Sequence, residues 1–214
     1  MMKLILFDMD HTLLDANKTL IDSFNKAFIK YHLKPTNPSK IKPLFGLIGT
    51  KIIKSLFPEL THKQCKEISK LRHQILFQES KKYIKPFPKT IQTLKKLKKT
   101  HKIGIVSNAK HNEILLLLKQ AKINPKLFDV IVGNDDVKHP KPAPDEIFKA
   151  KKLTHLKPEY IVGDSIYDIK AGKRAKIKTI AVLTGNTPKS TLKKEKPDFI
   201  LKNITEIPKI IISS

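Results

Sequence analysis

Cysteine is almost absent from this 214-residue chain, in which Cys65 stands alone. A single cysteine excludes an intramolecular disulfide, and it leaves no group of thiolates for a structural zinc site. Long apolar runs are missing too. The first run, at 3–7, is interrupted by Asp8 and is too short for a signal peptide or a membrane span. We therefore expect a cytoplasmic protein with no membrane partner.

Arginine is scarce as well, since Arg72 and Arg174 are the only arginines among 43 basic residues, although the formal net charge is +24. So much positive charge is compatible with a nucleic-acid partner. Nucleic-acid surfaces often use arginine, however, because its planar fork binds phosphates and base edges better than an ammonium group does. Lysines spread along the whole chain favour compositional drift, and only their clustering on one face would favour nucleic acid.

What the chain does contain is an ordinary globular composition, with 40% hydrophobic and 29% charged residues. Short apolar runs alternate with segments of helical length, which predicts an α/β fold: a Rossmann-like, mainly parallel sheet with helices on both faces. Strands are predicted at residues 4–7, 103–106, 130–132, 160–162, 179–182 and 199–201. Core helices are predicted at residues 89–99, 112–121, 145–152, 167–175 and 204–211.

One long interval departs from this alternation. From Leu14 to Lys85 no strand is predicted, whereas apolar residues such as Ile21, Phe24 and Phe28 recur at helical spacing. This pattern predicts a small all-helical cap, residues 16–85, inserted after the first strand. The core then consists of residues 1–15 and 86–214.

Polar side chains follow the predicted strands. Asp8 and Asp10 end the first strand and, being two residues apart on extended backbone, point the same way. Ser107 and Asp164 each follow a later strand, and Lys141 lies beyond the strand that ends near residue 132. Because ligands bind outside the carboxyl ends of strands in open α/β sheets, we expect these groups to meet in one crevice.

The same residues form four ordered motifs: Asp8-x-Asp10-x-Thr12, Ser107, Lys141 and Gly163-Asp164-Ser165-x-x-Asp168. In this order they resemble the haloacid dehalogenase-like phosphatases over the whole length of the chain. The runs Asp168-Ile169-Lys170-Ala171-Gly172 and Gly133-Asn134-Asp135-Asp136 are similar to the branch that contains phosphoglycolate phosphatase, pyrophosphatase and β-phosphoglucomutase. That branch carries a helical cap after the first strand.

The resemblance implies a chemistry for the carboxylates. Asp8 matches the nucleophile, and Asp10 matches the acid/base that protonates the leaving oxygen and later activates water. Magnesium would be held by Asp8, Asp164 and the backbone carbonyl of Asp10, with Asp168 as a further ligand or as a residue that orients the others. The residues proposed to hold the phosphoryl oxygens are Thr12, Ser107, Asn108 and Lys141.

The predicted function is a magnesium-dependent phosphatase that hydrolyses a small phosphomonoester, phosphoglycolate-like or a sugar phosphate, through an aspartyl-phosphate. A pyrophosphatase or phosphoglucomutase of the same family stays an alternative, as does a nucleic-acid-binding protein that retains a phosphatase core. The sequence does not define an oligomeric state.

Two further positions concern specificity. The cap segment 42–49, with Phe45, Gly46 and Gly49, is either a substrate loop or a simple turn between cap helices. His11 stands where most members of the resembled family carry glycine. We expect it to be a tolerated variant, because a lone histidine without a named partner is weak evidence for catalysis.

Overall fold

A computed structural model describes residues 2–79 and 83–211. The strands are β1 (Leu4–Phe7), β2 (Leu14–Asp15), β3 (Lys85–Pro86), β4 (Lys102–Ser107), β5 (Val130–Gly133), β6 (Pro158–Gly163), β7 (Lys178–Val182) and β8 (Phe199–Leu201). The α-helices are α1 (Asn17–Lys30), α2 (Pro38–Ile41), α3 (Gly49–Leu56), α4 (His62–Glu79), α5 (Thr90–Leu97), α6 (His111–Gln120), α7 (Asp145–Thr154), α8 (Ile166–Arg174), α9 (Lys189–Lys194) and α10 (Ile207–Ile211).

Six strands form one parallel sheet in the order β5-β4-β1-β6-β7-β8. The chain moves outward from β1 to β4 and β5, then returns to the other side of β1 through β6. β1 and β6 therefore flank the point where the direction of winding reverses, which is where open α/β sheets bind ligands.

Both faces of this sheet are covered by helices. Ile5 and Phe7 of β1 belong to one buried cluster, which includes residues of α5, α6 and α10. Leu4 and Leu6 of β1 belong to another buried cluster, which includes residues of α7 and α8. Successive side chains of a strand point to opposite faces of the sheet. Because both faces of β1 are buried, its sequence is a continuous apolar run. The predicted α/β fold class is confirmed.

The interval between β1 and the next core strand holds α1 to α4, with α1 and α3 both packed against α4. The prediction that this interval contains no strand is wrong at its two ends. Leu14 pairs with Pro86 and Asp15 with Lys85 in a two-stranded antiparallel ribbon, formed by β2 and β3. Strands of two residues are too short to produce an alternating pattern. The division into core and cap stays a prediction.

Two helical segments differ from expectation. α9 was not predicted, because its lysine-rich sequence has one buried side chain, Leu192. The predicted helix 204–211 begins as a 3-10 turn, Ile204–Glu206, before α10. Within the described ranges, every helix is too short or too polar to cross a bilayer.

Candidate active site

The loop after β1 carries the first pair of carboxylates. The amide of Asp8 donates to the carbonyl of Val162 at 2.8 Å and so continues the β1–β6 pairing by one residue. The chain then turns sharply, because the amides of Thr12, Leu13 and Leu14 all reach the carbonyl of Met9. As a result Asp8 is buried at the strand end, and Asp10 lines the cleft in front of it.

The loop after β6 supplies the second pair. Ser165 is the N-cap residue of α8, and Asp168 occupies the third position of that helix. The Ser165 amide donates to Oδ2 of Asp168 at 3.1 Å, as the N-cap amide does in a capping box, and the Ser165 hydroxyl donates to the same oxygen at 2.6 Å. The helix start therefore fixes Asp168, while Asp164 remains on the strand end beside Asp8.

Lys141 joins the two loops. Its Nζ atom donates to Oδ1 of Asp8 at 2.7 Å, to Oδ1 of Asp168 at 2.6 Å and to the carbonyl of Val106 at 2.9 Å. These three bonds use all three N–H groups of the ammonium. Burial lowers the pKa of Lys141, but the carboxylates of Asp168 and Asp8 outweigh burial and raise it above its usual range. Lys141 is therefore a permanent positive charge beside Asp8.

The carboxyl groups shift toward their protonated forms. Burial, followed by the charge of Asp8, raises the pKa of Asp10 well above its usual range. The same two causes raise the pKa of Asp164. Burial raises the pKa of Asp8 to about 6, although Lys141 opposes this. A high pKa suits Asp10 as a proton donor, whereas a divalent cation beside Asp8 and Asp164 would favour their ionised forms.

The carboxylates also fit a cation. Oxygen atoms of Asp8, Asp164 and Asp168 lie within 4.8 Å of one another, and all three residues are buried. Both oxygens of Asp168 already accept hydrogen bonds, one from Lys141 and the other from Ser165. Asp8 and Asp164 are therefore the better ligands, and carboxylate oxygens are the donors that Mg²⁺ prefers.

The predicted phosphate contacts lie at this site with partners of their own. The Thr12 hydroxyl donates to Oδ1 of Asp164 at 3.2 Å, and the Ser107 hydroxyl accepts from the amide of Ala109 at 3.2 Å. The side-chain amide of Asn108 donates to the carbonyls of Gly46 and Lys141 at 2.5 and 3.0 Å. Asn108 thus ties the cap to the Lys141 segment, and a phosphate role for these residues stays a prediction.

The cap segment around Gly46 reaches the same cleft as Asp8 and Asp10. Gly46 has a φ of 99°, and a Cβ atom there would lie 2.9 Å from Cδ2 of Tyr167 and 3.1 Å from Ser165. Only glycine allows this close approach to the start of α8. Gly49 lines the same cleft and is the first residue of α3.

Arg72 and Glu113 also line the cleft, and they were not predicted. Arg72, from α4, donates two hydrogen bonds to Glu113, from α6, and a third to Ser23. Burial raises the pKa of Glu113, but Arg72 and the hydrogen bond from His73 outweigh this and hold the pKa at about 2. The scarcity of arginine was the available signal, because a lysine cannot make this bidentate contact.

The other arginine lies close to the same site. Nη1 of Arg174 donates to the carbonyl of Pro142 at 2.6 Å, one residue after Lys141. In a chain whose basic residues are almost all lysine, both arginines therefore make defined hydrogen bonds beside the predicted catalytic residues.

Comparison with known proteins agrees with these motifs. The sequence model of the haloacid dehalogenase-like hydrolases matches residues 5–182. A relative named pyrophosphatase PpaX, from Bacillus mycoides (strain KBAB4), is 30% identical over 210 residues, which cover 97% of this chain and 95% of the relative.

Solved structures share the fold. A predicted phosphoglycolate phosphatase from Haemophilus somnus 129pt superposes with a TM-score of 0.88 at 23% identity, covering 98% of this chain and 97% of that one. A haloacid dehalogenase-like family hydrolase from Streptococcus pneumoniae superposes with a TM-score of 0.84 at 21% identity, covering 98% of each chain.

Proposed function

Because the chain belongs to the haloacid dehalogenase-like hydrolases and is therefore a phosphoric ester hydrolase, we propose that it hydrolyses a small phosphomonoester with Mg²⁺ and an aspartyl-phosphate intermediate. Asp8 is the nucleophile in this proposal, and Asp10 is the acid/base.

The observation that carries the proposal is the position of Lys141 between Asp8 and Asp168. A buried ammonium that bridges two carboxylates orients Asp8 and offsets the repulsion between its charge and an incoming phosphate dianion. An attacking carboxylate needs that compensation, because phosphoryl transfer depends mainly on positioning and charge stabilisation.

In the first step, a carboxylate oxygen of Asp8 forms a bond to phosphorus while the bond between phosphorus and the leaving oxygen breaks. The proton of Asp10 goes to that leaving oxygen, so the alcohol departs neutral. The raised pKa of Asp10 keeps this proton in place beforehand. The Ser107 hydroxyl binds an oxygen of the transferring group. The positive charge of Lys141, whose three N–H groups are held by Asp8, Asp168 and Val106, offsets the negative charge of that group.

In the second step, Asp10 is a carboxylate and accepts a proton from the attacking water. The water oxygen bonds to phosphorus, the bond from phosphorus to Asp8 breaks, and inorganic phosphate leaves. Mg²⁺ bound by Asp8 and Asp164 supplies further positive charge for the phosphoryl oxygens. Asp168 holds Lys141, which in turn orients Asp8, and Thr12 holds Asp164, which would bind the cation.

The test is a measurement of phosphate release from a panel of phosphomonoesters and pyrophosphate, with Mg²⁺ present. The panel includes phosphoglycolate, sugar phosphates, glycerol phosphate and p-nitrophenyl phosphate. Release from at least one ester, lost in Asp8→Asn, supports the proposal. Trapping of phosphate on Asp8, detected by mass spectrometry of the acid-quenched enzyme, supports the intermediate. Absence of release from every compound contradicts the proposal.

Pyrophosphate is in the panel because the sequence relative is named for it. A cytoplasmic location, the cap as a separable domain and a small metabolite as partner also remain proposals.

A further inference from the structure

His11 adopts a backbone conformation that is unfavourable for its side chain. Its φ is 61°, in the left-handed region that glycine occupies without strain. The backbone is nevertheless held on both sides: the His11 amide donates to the carbonyl of Leu14 at 2.8 Å, and its carbonyl accepts from the Thr184 hydroxyl at 2.6 Å. The loop thus presents an imidazole at a position whose geometry favours glycine.

The imidazole lies where core and cap meet. It is 1% exposed and lines the cleft, and its ring stacks on Phe45 of the cap with centroids 5.3 Å apart and planes at 21°. Across the described residues, nothing forms a hydrogen bond with its Nε2 atom. A buried ring nitrogen without a partner is unfavourable, so it calls for an explanation such as a ligand that completes it.

The adjacent residue shows the same feature. Oδ1 of Asp10 is also buried, and it too lacks a hydrogen-bond partner within the described part of the chain. Asp10 donates its proton to the leaving oxygen in the proposed mechanism. Two consecutive residues that line the cleft therefore each carry a buried, unpaired polar atom, and one of the two residues is the proposed proton donor to the leaving group.

Nε2 of His11 can pair with a hydroxyl group in either direction. A ring nitrogen of histidine donates through its N–H or accepts through its lone pair, and a hydroxyl group both donates and accepts. A hydroxyl group of a ligand therefore gives Nε2 a partner whichever ring nitrogen carries the proton.

The charges around the cleft disfavour a second anionic group on the substrate. Arg72 is held by both oxygens of Glu113, so its charge is already balanced. Lys110, the other Lys or Arg that lines the cleft in the described ranges, is the N-cap residue of α6 on the loop after β4, and not part of the loop that carries Asp10 and His11. The neighbours on the cap are apolar, among them Leu20, Phe24 and Phe45. A second anionic group on the substrate would find no unbalanced cation beside Asp10 and His11.

We propose that Nε2 of His11 forms a hydrogen bond with a hydroxyl group of the leaving alcohol. The enzyme then selects phosphomonoesters of uncharged, hydroxyl-bearing alcohols over compounds with a second anionic group, such as pyrophosphate or phosphoglycolate. This inference rests on the proposed phosphatase function and makes His11 a specificity-determining residue rather than a tolerated variant.

The experiment compares esters that differ in hydroxyl groups but not in charge: glycerol phosphate with propyl phosphate, and erythritol phosphate with butyl phosphate. The measured quantity is the ratio of kcat/KM within each pair. The wild-type ratio should exceed one in at least one pair. His11→Gly, which suits the left-handed backbone, should lower that ratio about 3- to 10-fold, the effect of losing one neutral hydrogen bond.

Thr184→Ala is the matched control. It removes the hydrogen bond to the His11 carbonyl and loosens the same loop, but it leaves the imidazole in place. It should lower kcat/KM for both members of a pair alike and leave the ratio unchanged. If His11→Gly does not fold, as judged by circular dichroism and thermal unfolding, His11→Ala takes its place in the same comparison.

Three results would overturn the inference: wild-type ratios near one in both pairs, an equal change of ratio in Thr184→Ala, or higher wild-type kcat/KM for pyrophosphate or phosphoglycolate than for the hydroxylated esters. In each case the phosphatase function itself would stand. Failure of the wild type to release phosphate from any ester, including p-nitrophenyl phosphate, would instead overturn the proposed function and this inference together.

Discussion

Arg72 and Glu113 form a buried, bidentate ion pair between α4 and α6, with Nη2 of Arg72 2.7 Å from Oε1 of Glu113. The pair joins the predicted cap to the core beside the cleft. Both residues are almost fully buried, so each charge has little contact with water and is stabilised mainly by the other. The pair therefore matters for stability as well as for the shape of the cleft.

Arg72→Met should lower the free energy of unfolding by about 3–5 kcal/mol, because Glu113 is left buried without a counter-charge. The double variant Arg72→Met/Glu113→Leu should recover most of this loss. Urea unfolding measures both values. The partly exposed pair Lys170–Glu195 is the control, and Glu195→Gln should cost less than about 1 kcal/mol. Equal losses at the two pairs would contradict this assignment.

Asp8→Asn should abolish turnover without unfolding the protein, since an amide keeps the shape but is a poor nucleophile and metal ligand. Asp10→Asn should reduce kcat by about 10²- to 10⁴-fold through loss of acid/base catalysis. Asp22→Asn, at an exposed position of α1, is the matched control and should leave kcat unchanged. Turnover of Asp8→Asn near the wild-type rate would show that another residue is the nucleophile.

Chelation of divalent metal should abolish phosphate release, and added Mg²⁺ should restore it. The far-ultraviolet circular dichroism should change little, because the acidic residues lie on strand ends that the sheet already positions. Activity retained in chelator would show that the carboxylates work without a cation. A large loss of helix signal would indicate a structural metal.

Glu146 predicts a specific pH dependence of stability. It is fully buried on α7, neither of its oxygens has a hydrogen-bond partner within the described residues, and burial raises its pKa from 4.5 to about 7. The unfolded chain loses this proton above pH 4.5, whereas the folded chain keeps it until about pH 7. Stability therefore falls as pH rises through this window.

Glu146→Met removes that penalty. The variant should have a higher free energy of unfolding than the wild type at pH 8. This difference between variant and wild type should be larger at pH 8 than at pH 4.5, by up to about 3 kcal/mol. Thermal or urea unfolding at the two pH values measures the difference. An advantage that does not depend on pH would show that Glu146 ionises normally in the folded protein.

Gly46→Ala should raise KM and lower the free energy of unfolding by about 1–3 kcal/mol, because the φ of 99° and the contact with Tyr167 both exclude a Cβ atom. Gly49→Ala is the matched change in the same segment. Its Cβ would meet the Ser69 hydroxyl at 3.0 Å, a side-chain atom that can rotate away. Similar effects of the two variants would argue against a special role for the Gly46 turn.

Much of the candidate active site was predictable from sequence alone. Apolar runs followed by Asp8, Ser107 and Asp164 marked three strand ends, and the rule that parallel strands present their carboxyl ends at one edge placed those residues together. These are local signals, since each depends on a few consecutive residues. The same logic failed for β2 and β3, where two residues are too few to carry a pattern.

The tertiary structure decided the contacts that no local pattern encodes. Arg72 and Glu113 meet across 41 residues, and Lys141 reaches Asp8 across 133. Such pairs depend on how each helix is rotated and on how α1 to α4 pack against the rest of the chain. The positive φ of His11 and its unpaired nitrogen likewise follow from the turn after β1 and from packing against Phe45. Strand ends are set by local alternation of side chains, whereas partners are set by the packing of distant elements.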